Sequence, residues 1–248
     1  MPVTDDLADD LASAVRTPEI FAVYQPQVSL ESGSIVGAEA LCRWRHPQRG
    51  DIDPATMIGV AERSGVIHAL GRRMLDECLD TLAEWRETGR EWAVAVNVSP
   101  RQFEDPAFVP HVASELTRRA LPPASLVLEL TQAARPVDDG ALLPQLRALR
   151  EAGVEISLDG YGGGSLAREQ WQSLPLTEVK VPGHLVRAAE RDDLAPLRHE
   201  VEVAHAHGLR VVAGGIETLT HLDVAVALGC DRAQGFLIRQ PDSEIVLP

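Results

Sequence analysis

The feature that most restricts how this chain can fold is a short link. Only Glu31-Ser32-Gly33-Ser34 separates two strand-like runs, residues 23–30 and 35–43. Four residues cannot hold a crossover helix, so the two runs must pair as an antiparallel hairpin. Further runs rich in Val, Ile and Leu follow at about 93–98, 125–131, 154–159, 178–182, 210–214 and 232–238. Between them lie segments of helical spacing at about 53–64, 67–88, 107–120, 138–152, 165–174, 185–207 and 218–228, several closed by a glycine such as Gly65, Gly89, Gly153, Gly208 or Gly229. Strand alternating with helix makes the later strands parallel, with right-handed crossovers. At 248 residues the chain matches the roughly 250 that a barrel of such units needs. The expected fold is α/β, a TIM-type (β/α)8 barrel with one antiparallel strand. An open doubly wound sheet is the alternative, and the glycine fingerprint it would carry after its first strand is missing.

Residues 1–19 space Leu7, Leu11 and Ala14 or Val15 at helical intervals, which predicts an amphipathic helix lying on a barrel domain of residues 20–248. No linker, repeat or low-complexity tract divides the chain. Its 23 basic and 37 acidic residues leave a net charge of −14, so broad binding to a nucleic-acid backbone or an anionic membrane is not expected. A small anionic ligand stays open if a few basic groups share one pocket. Cys42, Cys78 and Cys230 are odd in number and form no CxxC pair, which fits a reducing, cytoplasmic setting. No apolar run approaches the ~20 residues that a membrane-spanning helix needs.

In a barrel of this type the chemistry gathers where the parallel strands end at their C-termini. Asn97 ends AVAVN, Glu129 sits late in SLVLEL, Asp159 ends VEISLD and Lys180 lies in EVKV, while Glu39 lies within the apolar second strand. These are mainly oxygen donors, suited to Mg²⁺ or Mn²⁺, with Ca²⁺ as a substitute, rather than to zinc. Two carboxylates ~4 Å apart repel by roughly 4 kcal/mol at an effective dielectric of about 20, so such a cluster calls for a cation or a raised pKa. Taken singly, each acid has a plainer role: Asp159 as a cap for the next helix, Glu129 as a partner of Lys180 or of backbone amides. The glycines of 160–164 lack the following Gly-Lys-Ser/Thr of a phosphate cradle. Asp76, Glu77 and Asp80 read as a solvated helix face. His205 and His207, two apart on a helix, point in different directions and make a poor metal pair. No GxSxG or Cys/His pattern points to covalent catalysis.

The segments YQPQVSLESGSIVGAEALCRWRHP, VAERSG, AVNVS, LELT, LPLTEVKV, VVAGGIET and AQGF stand in order over about residues 20–241. Together they resemble the EAL domain of bacterial cyclic di-GMP phosphodiesterases. The resemblance implies a barrel with an antiparallel early strand and a pocket for cyclic di-GMP. It also implies a first metal held by Glu39, Asn97, Glu129 and Asp159. Arg43 would hold a ligand phosphate, Gln25, Leu41 and Gln234 would help hold the nucleotide, and Lys180 would help orient the attacking water. Several positions depart from the family pattern. Gly160 stands where the family has a second aspartate, Pro182 where it has Asp in Lys-Ile-Asp, Gly214 where it has the first Glu of Ala-Glu-Gly-Val-Glu, and Gln132 where Glu-x-Thr-Glu ends. A second metal would thus have few protein ligands and the nucleophile no evident base. The expectation is a degenerate member that binds cyclic di-GMP without turning it over, read by a regulatory protein partner. The alternatives are a slow one-metal phosphodiesterase and an interaction module that binds no nucleotide.

Overall fold

In the computed structural model, residues 3–131, 142–162, 173–189 and 193–245 are described. Nine strands form one sheet: β1 Ile20–Ser29, β2 Ile35–His46, β3 Gly50–Ile52, β4 Ala93–Val98, β5 Leu126–Thr131, β6 Glu155–Asp159, β7 Glu178–Val181, β8 Arg210–Ala213 and β9 Arg232–Ala233. Their order is β1-β9-β8-β7-β6-β5-β4-β2-β3, and a further β1–β2 pairing closes the barrel. β1 runs antiparallel to both neighbours, with Gln25 opposite Glu39, and every ladder from β2 through β4 round to β9 is parallel. The hairpin inferred from the four-residue link is therefore the barrel's one reversal. The short β3 pairs back on β2 outside the ring.

Alternation along each strand decides what faces where. Ala38 and Ala40, Val94, Val96 and Val98, Leu126, Leu128 and Leu130, Ile156 and Leu158 are buried in the core that joins the barrel to its helices. That layer is completed by α2 Pro54–Ser64, α3 Ile67–Glu87, α4 Phe108–Arg118, α5 Leu142–Glu151, α6 Gly183–Ala189, α7 Ala195–Ala206 and α8 Leu219–Ala227. α3 alone supplies Leu70, Leu75, Leu79 and Leu82. The intervening strand residues face inward and are mostly polar. Gly65 and Gly153, at φ +79° and +90°, take the left-handed conformation that lets the chain leave a helix without a Cβ clash. α1 Val3–Ala14 lies on the barrel through buried Leu7, Leu11 and Ala14, and Asp10 pairs with buried His46 at 3.1 Å.

Several expectations need correction. The run 232–238 is a strand only at Arg232–Ala233. At Gly235 the backbone crosses Ile216 so closely that a Cβ would sit 2.1 Å from the Ile216 carbonyl oxygen, and the chain turns out of the ladder. β7 stops before Pro182, which has no N–H to donate. The helix expected at 185–207 is two helices, the second beginning afresh with a proline in its first turn. Asp76, Glu77 and Asp80 are not a bare solvated face. Glu77 accepts the Ala22 N–H at 2.7 Å, Asp80 pairs with Arg119 at 2.6 Å, and Asp76 lies 3.4 Å from His111. Most of the helix expected at 165–174, and Gln132, lie outside the described residues.

Candidate functional site

The site is assembled by register. Glu129 on β5 lies beside Asn97 on β4, Asp159 on β6 beside Lys180 on β7, and Glu39 on β2 beside Gln25 on β1. Six strands thus deliver polar side chains to one mouth, the strand-end residues Asn97, Glu129, Asp159 and Lys180 meeting Glu39 and Gln25 from mid-strand. Gln234 joins them just beyond β9. Glu39 is the hub: its Oε1 accepts from Asn97 Nδ2 at 2.8 Å, and its Oε2 accepts from Gln234 Nε2 at 2.7 Å and from Lys180 Nζ. Gln234 Nε2 also donates to Gln25 Oε1 at 2.9 Å, while Gln234 Oε1 accepts from Gln27 Nε2 at 3.1 Å. Gln25 Nε2 in turn donates to the Arg239 carbonyl at 3.2 Å. Gln27 is not picked out by strand-end position alone, but the period-two step from Gln25 along β1 leads to it.

Charge is distributed unevenly across this cluster. Burial opposes ionisation of Glu39, but the Lys180 charge and the hydrogen bonds from Lys180, Asn97 and Gln234 outweigh it and hold the carboxyl down at about 2. Glu129, fully buried, behaves oppositely. Burial and then the neighbouring Glu39 charge push its carboxyl well above the usual carboxylate range, against the pull of Lys180 at 3.6 Å. Among the described residues, neither Glu129 oxygen has a hydrogen-bond partner. Burial also raises Asp159. Lys180 is the single lysine among the chain's 23 basic residues, and the charges of Glu129, Glu39 and Asp159 overcome its burial and raise its pKa. One ammonium and one carboxylate neutralise each other here, with two further acids pressed toward their protonated forms.

Whether these residues suit a cation divides into chemistry and arrangement. The unpartnered oxygens of Glu129, with Glu39, Asp159 and the Asn97 amide, make a hard-oxygen set that fits Mg²⁺, Mn²⁺ or Ca²⁺. As the side chains stand, though, no three His, Cys, Asp or Glu groups among the described residues are placed to hold an ion. Leu41 and Arg43 stand further out on β2. Both border a hollow beneath α2 and α3 lined by Met57, Leu70, Met74 and Asn97, and Arg43 also borders a second hollow with Phe21, Val23 and Phe236. Arg43 Nη1 donates to the neighbouring Cys42 carbonyl at 2.9 Å.

The positions that depart from the expected pattern sit around the same mouth. Gly160 follows Asp159 at φ +78°, Pro182 follows β7, and Gly214 follows β8 with its amide bonded to the Val181 carbonyl. None of the three carries a side-chain oxygen. At the opposite end of the barrel the inward residues form an ionic floor: Arg210 binds Glu155 and, at 2.7 Å, Glu178, which also accepts from Arg232 at 3.3 Å. Strand-end reasoning does not reach this floor, since Glu155 and Glu178 precede Asp159 and Lys180 by even steps on β6 and β7, and Arg210 and Arg232 open β8 and β9.

A model of the EAL domain matches residues 8–241. Among curated proteins, the chain is 35% identical over 238 residues to the bifunctional diguanylate cyclase/cyclic di-GMP phosphodiesterase MucR of Pseudomonas aeruginosa, covering 95% of this chain and 35% of that one. It is 33% identical over 238 residues to the cyclic di-GMP phosphodiesterase PA2567 of the same species, covering 95% of this chain and 40% of the relative. It thus spans well under half the length of either. Among solved structures, the MucR phosphodiesterase in complex with c-di-GMP superposes with a TM-score of 0.87 at 34% identity, covering 96% of this chain and 97% of that one. With the EAL model matching nearly the whole chain, and a closed barrel with a reversed first strand, this chain belongs to the EAL domain family.

Proposed function

We propose that this domain is a receptor that binds cyclic di-GMP at the barrel mouth and does not turn it over. The observation that carries the reading is the chemistry at positions 160, 182 and 214. Among the described residues, glycine, proline and glycine there leave no acid beside Lys180 beyond Glu39, Glu129 and Asp159. Hydrolysis by two metals needs both cations clamped about the phosphate and a base for the attacking water. The binding elements, by contrast, are present. Arg43 at the rim offers charge-assisted bonds to a phosphate, and Gln25, Gln234 and Leu41 offer polar and apolar contacts to the rest of the ligand. These groups supply the local attraction that a net charge of −14 does not.

Glu39, Asn97, Glu129 and Asp159 would hold one Mg²⁺ or Mn²⁺, Asn97 turning its amide to present its oxygen, and a cation bound there would polarise a ligand phosphate. Among the described residues a second metal has no comparable set. Such a receptor acts through a regulatory protein partner that reads the bound state, in the cytoplasm where the nucleotide is made. Among the described residues no helix is long and apolar enough to cross a membrane. A slow one-metal phosphodiesterase is the second reading, favoured by the two unpartnered Glu129 oxygens and by relatives named as phosphodiesterases; Lys180 would then keep a residual role at the attacking water. Calorimetric titration with cyclic di-GMP, with and without chelator, tests the receptor. Saturable binding is expected under both conditions, and no heat under either rejects it.

A further inference from the structure

The chain's only lysine lies where a cation would go. Lys180 Nζ donates to Glu39 Oε2 and stands 3.6 Å from Glu129 Oε2, between the two carboxylates that would flank a metal. Bonds of 2.0–2.6 Å from a divalent ion to both acids would put that ion in the space the ammonium fills. Like charges cannot share it. Glu39 is further committed, since Asn97 and Gln234 each take another of its acceptor positions. Beyond Glu39, Glu129 and Asp159, the neighbouring positions 160, 182 and 214 carry no acid to draw the ammonium elsewhere. The rest of the chain uses arginine for every other basic residue, while this seat takes a compact ammonium rather than a planar fork.

We propose that Lys180 is a built-in counter-cation that competes with divalent metal for the Glu39–Glu129 seat, so that the domain neutralises its own site and a metal enters only by expelling the lysine. This rests on the same site as the receptor reading but not on nucleotide binding, and its test uses metal alone. Mn²⁺ is titrated into chelator-stripped protein and free Mn²⁺ is followed by electron paramagnetic resonance, for wild type, Lys180→Met and Lys180→Gln. Both variants should bind Mn²⁺ at least about tenfold more tightly than wild type, the size expected when a competing charge of one unit is removed from a buried seat. A lysine that merely assists metal binding would instead leave the variants equal or weaker, which overturns the proposal. A second measurement needs no variant. In wild type labelled with ¹³C-lysine, the single Lys180 side-chain signal should move in step with Mg²⁺ binding, and a signal unmoved at saturating Mg²⁺ overturns the proposal as well. Loss of cyclic di-GMP binding with the Mn²⁺ result intact would count against the receptor reading alone.

Discussion

Gln234 is the buried joint between the barrel's closing strand and the ligand mouth, and replacing it by leucine gives a prediction with a computable size. The side chain is 3% exposed and makes three bonds: it donates to Gln25 and to Glu39 and accepts from Gln27. Leucine fills a similar volume but leaves the Gln27 amide and the Gln25 carbonyl unpaired and removes one donor from the Glu39 carboxylate. A buried polar group left unsatisfied costs about 1–3 kcal/mol, and a bond to a charged group is worth about 1.5–3 kcal/mol. Allowing about 1 kcal/mol in return for the added apolar burial, the sum runs from about 2.5 to about 8 kcal/mol, and with Gln25 and Gln27 re-pairing in part Gln234→Leu should destabilise the domain by roughly 3–5 kcal/mol, the lower half of that range. For a chain of this size that lowers the midpoint of thermal unfolding by roughly 10 °C. Urea unfolding should show a lower midpoint at unchanged slope. Adding Gln25→Leu in the Gln234→Leu background should cost less than Gln25→Leu alone, because its partner is already gone. A loss below about 1 kcal/mol, or strict additivity of the two changes, would refute the network.

Arg43→Ala should weaken cyclic di-GMP binding by about 10- to 100-fold, the worth of one charge-assisted bond, while leaving the unfolding midpoint almost unchanged, since the guanidinium bonds its neighbour's carbonyl; calorimetry and thermal melts together check it. Glu39, held at about 2 against an ordinary value of 4.5, contributes stability that is present above about pH 5 and lost as the pH falls toward 2. Wild type should therefore exceed Glu39→Gln in stability by a few kcal/mol at pH 7, and the gap should shrink steadily between pH 5 and 3 in urea titrations; a gap that does not vary with pH contradicts the ion pair. Glu129 and Asp159, raised rather than lowered, run the other way, and because the Glu39 charge contributes to both shifts the gap reports the coupled cluster rather than Glu39 alone. Restoring acids by Gly160→Asp, Pro182→Asp and Gly214→Glu together should create cleavage of cyclic di-GMP to its linear product. It should also cost stability, because Gly160 sits at φ +78° and a Cβ on Gly214 would meet the Val181 carbonyl at 3.0 Å.

Much of this was legible in the residues because two simple rules carry far. The four-residue link forces the hairpin, and the alternation of strand and helix then leaves few ways to close a sheet. Strand-end position alone gathers Asn97, Glu129, Asp159 and Lys180, which do meet. What was not legible depends on contacts between distant segments. Gln27 and the floor residues Glu155, Glu178, Arg210 and Arg232 look like ordinary strand polars until the barrel closes and turns them toward one another. Glu77 looks like a surface acid until the β1 backbone presents it with an N–H. The end of β9 is set by the approach of Gly235 to Ile216, which no local propensity encodes. That Glu39 and Glu129 are shifted in opposite directions follows from where a single ammonium points.

The most direct measurement mixes the domain with cyclic di-GMP at a concentration that saturates it, in Mg²⁺ and then in Mn²⁺, and separates linear from cyclic nucleotide by chromatography over hours. With the ligand bound and positions 160, 182 and 214 bare of acids, the cyclic form should be recovered intact. Rapid accumulation of linear product from the saturated protein would show that this mouth cleaves what it holds, and the receptor reading would have to be given up.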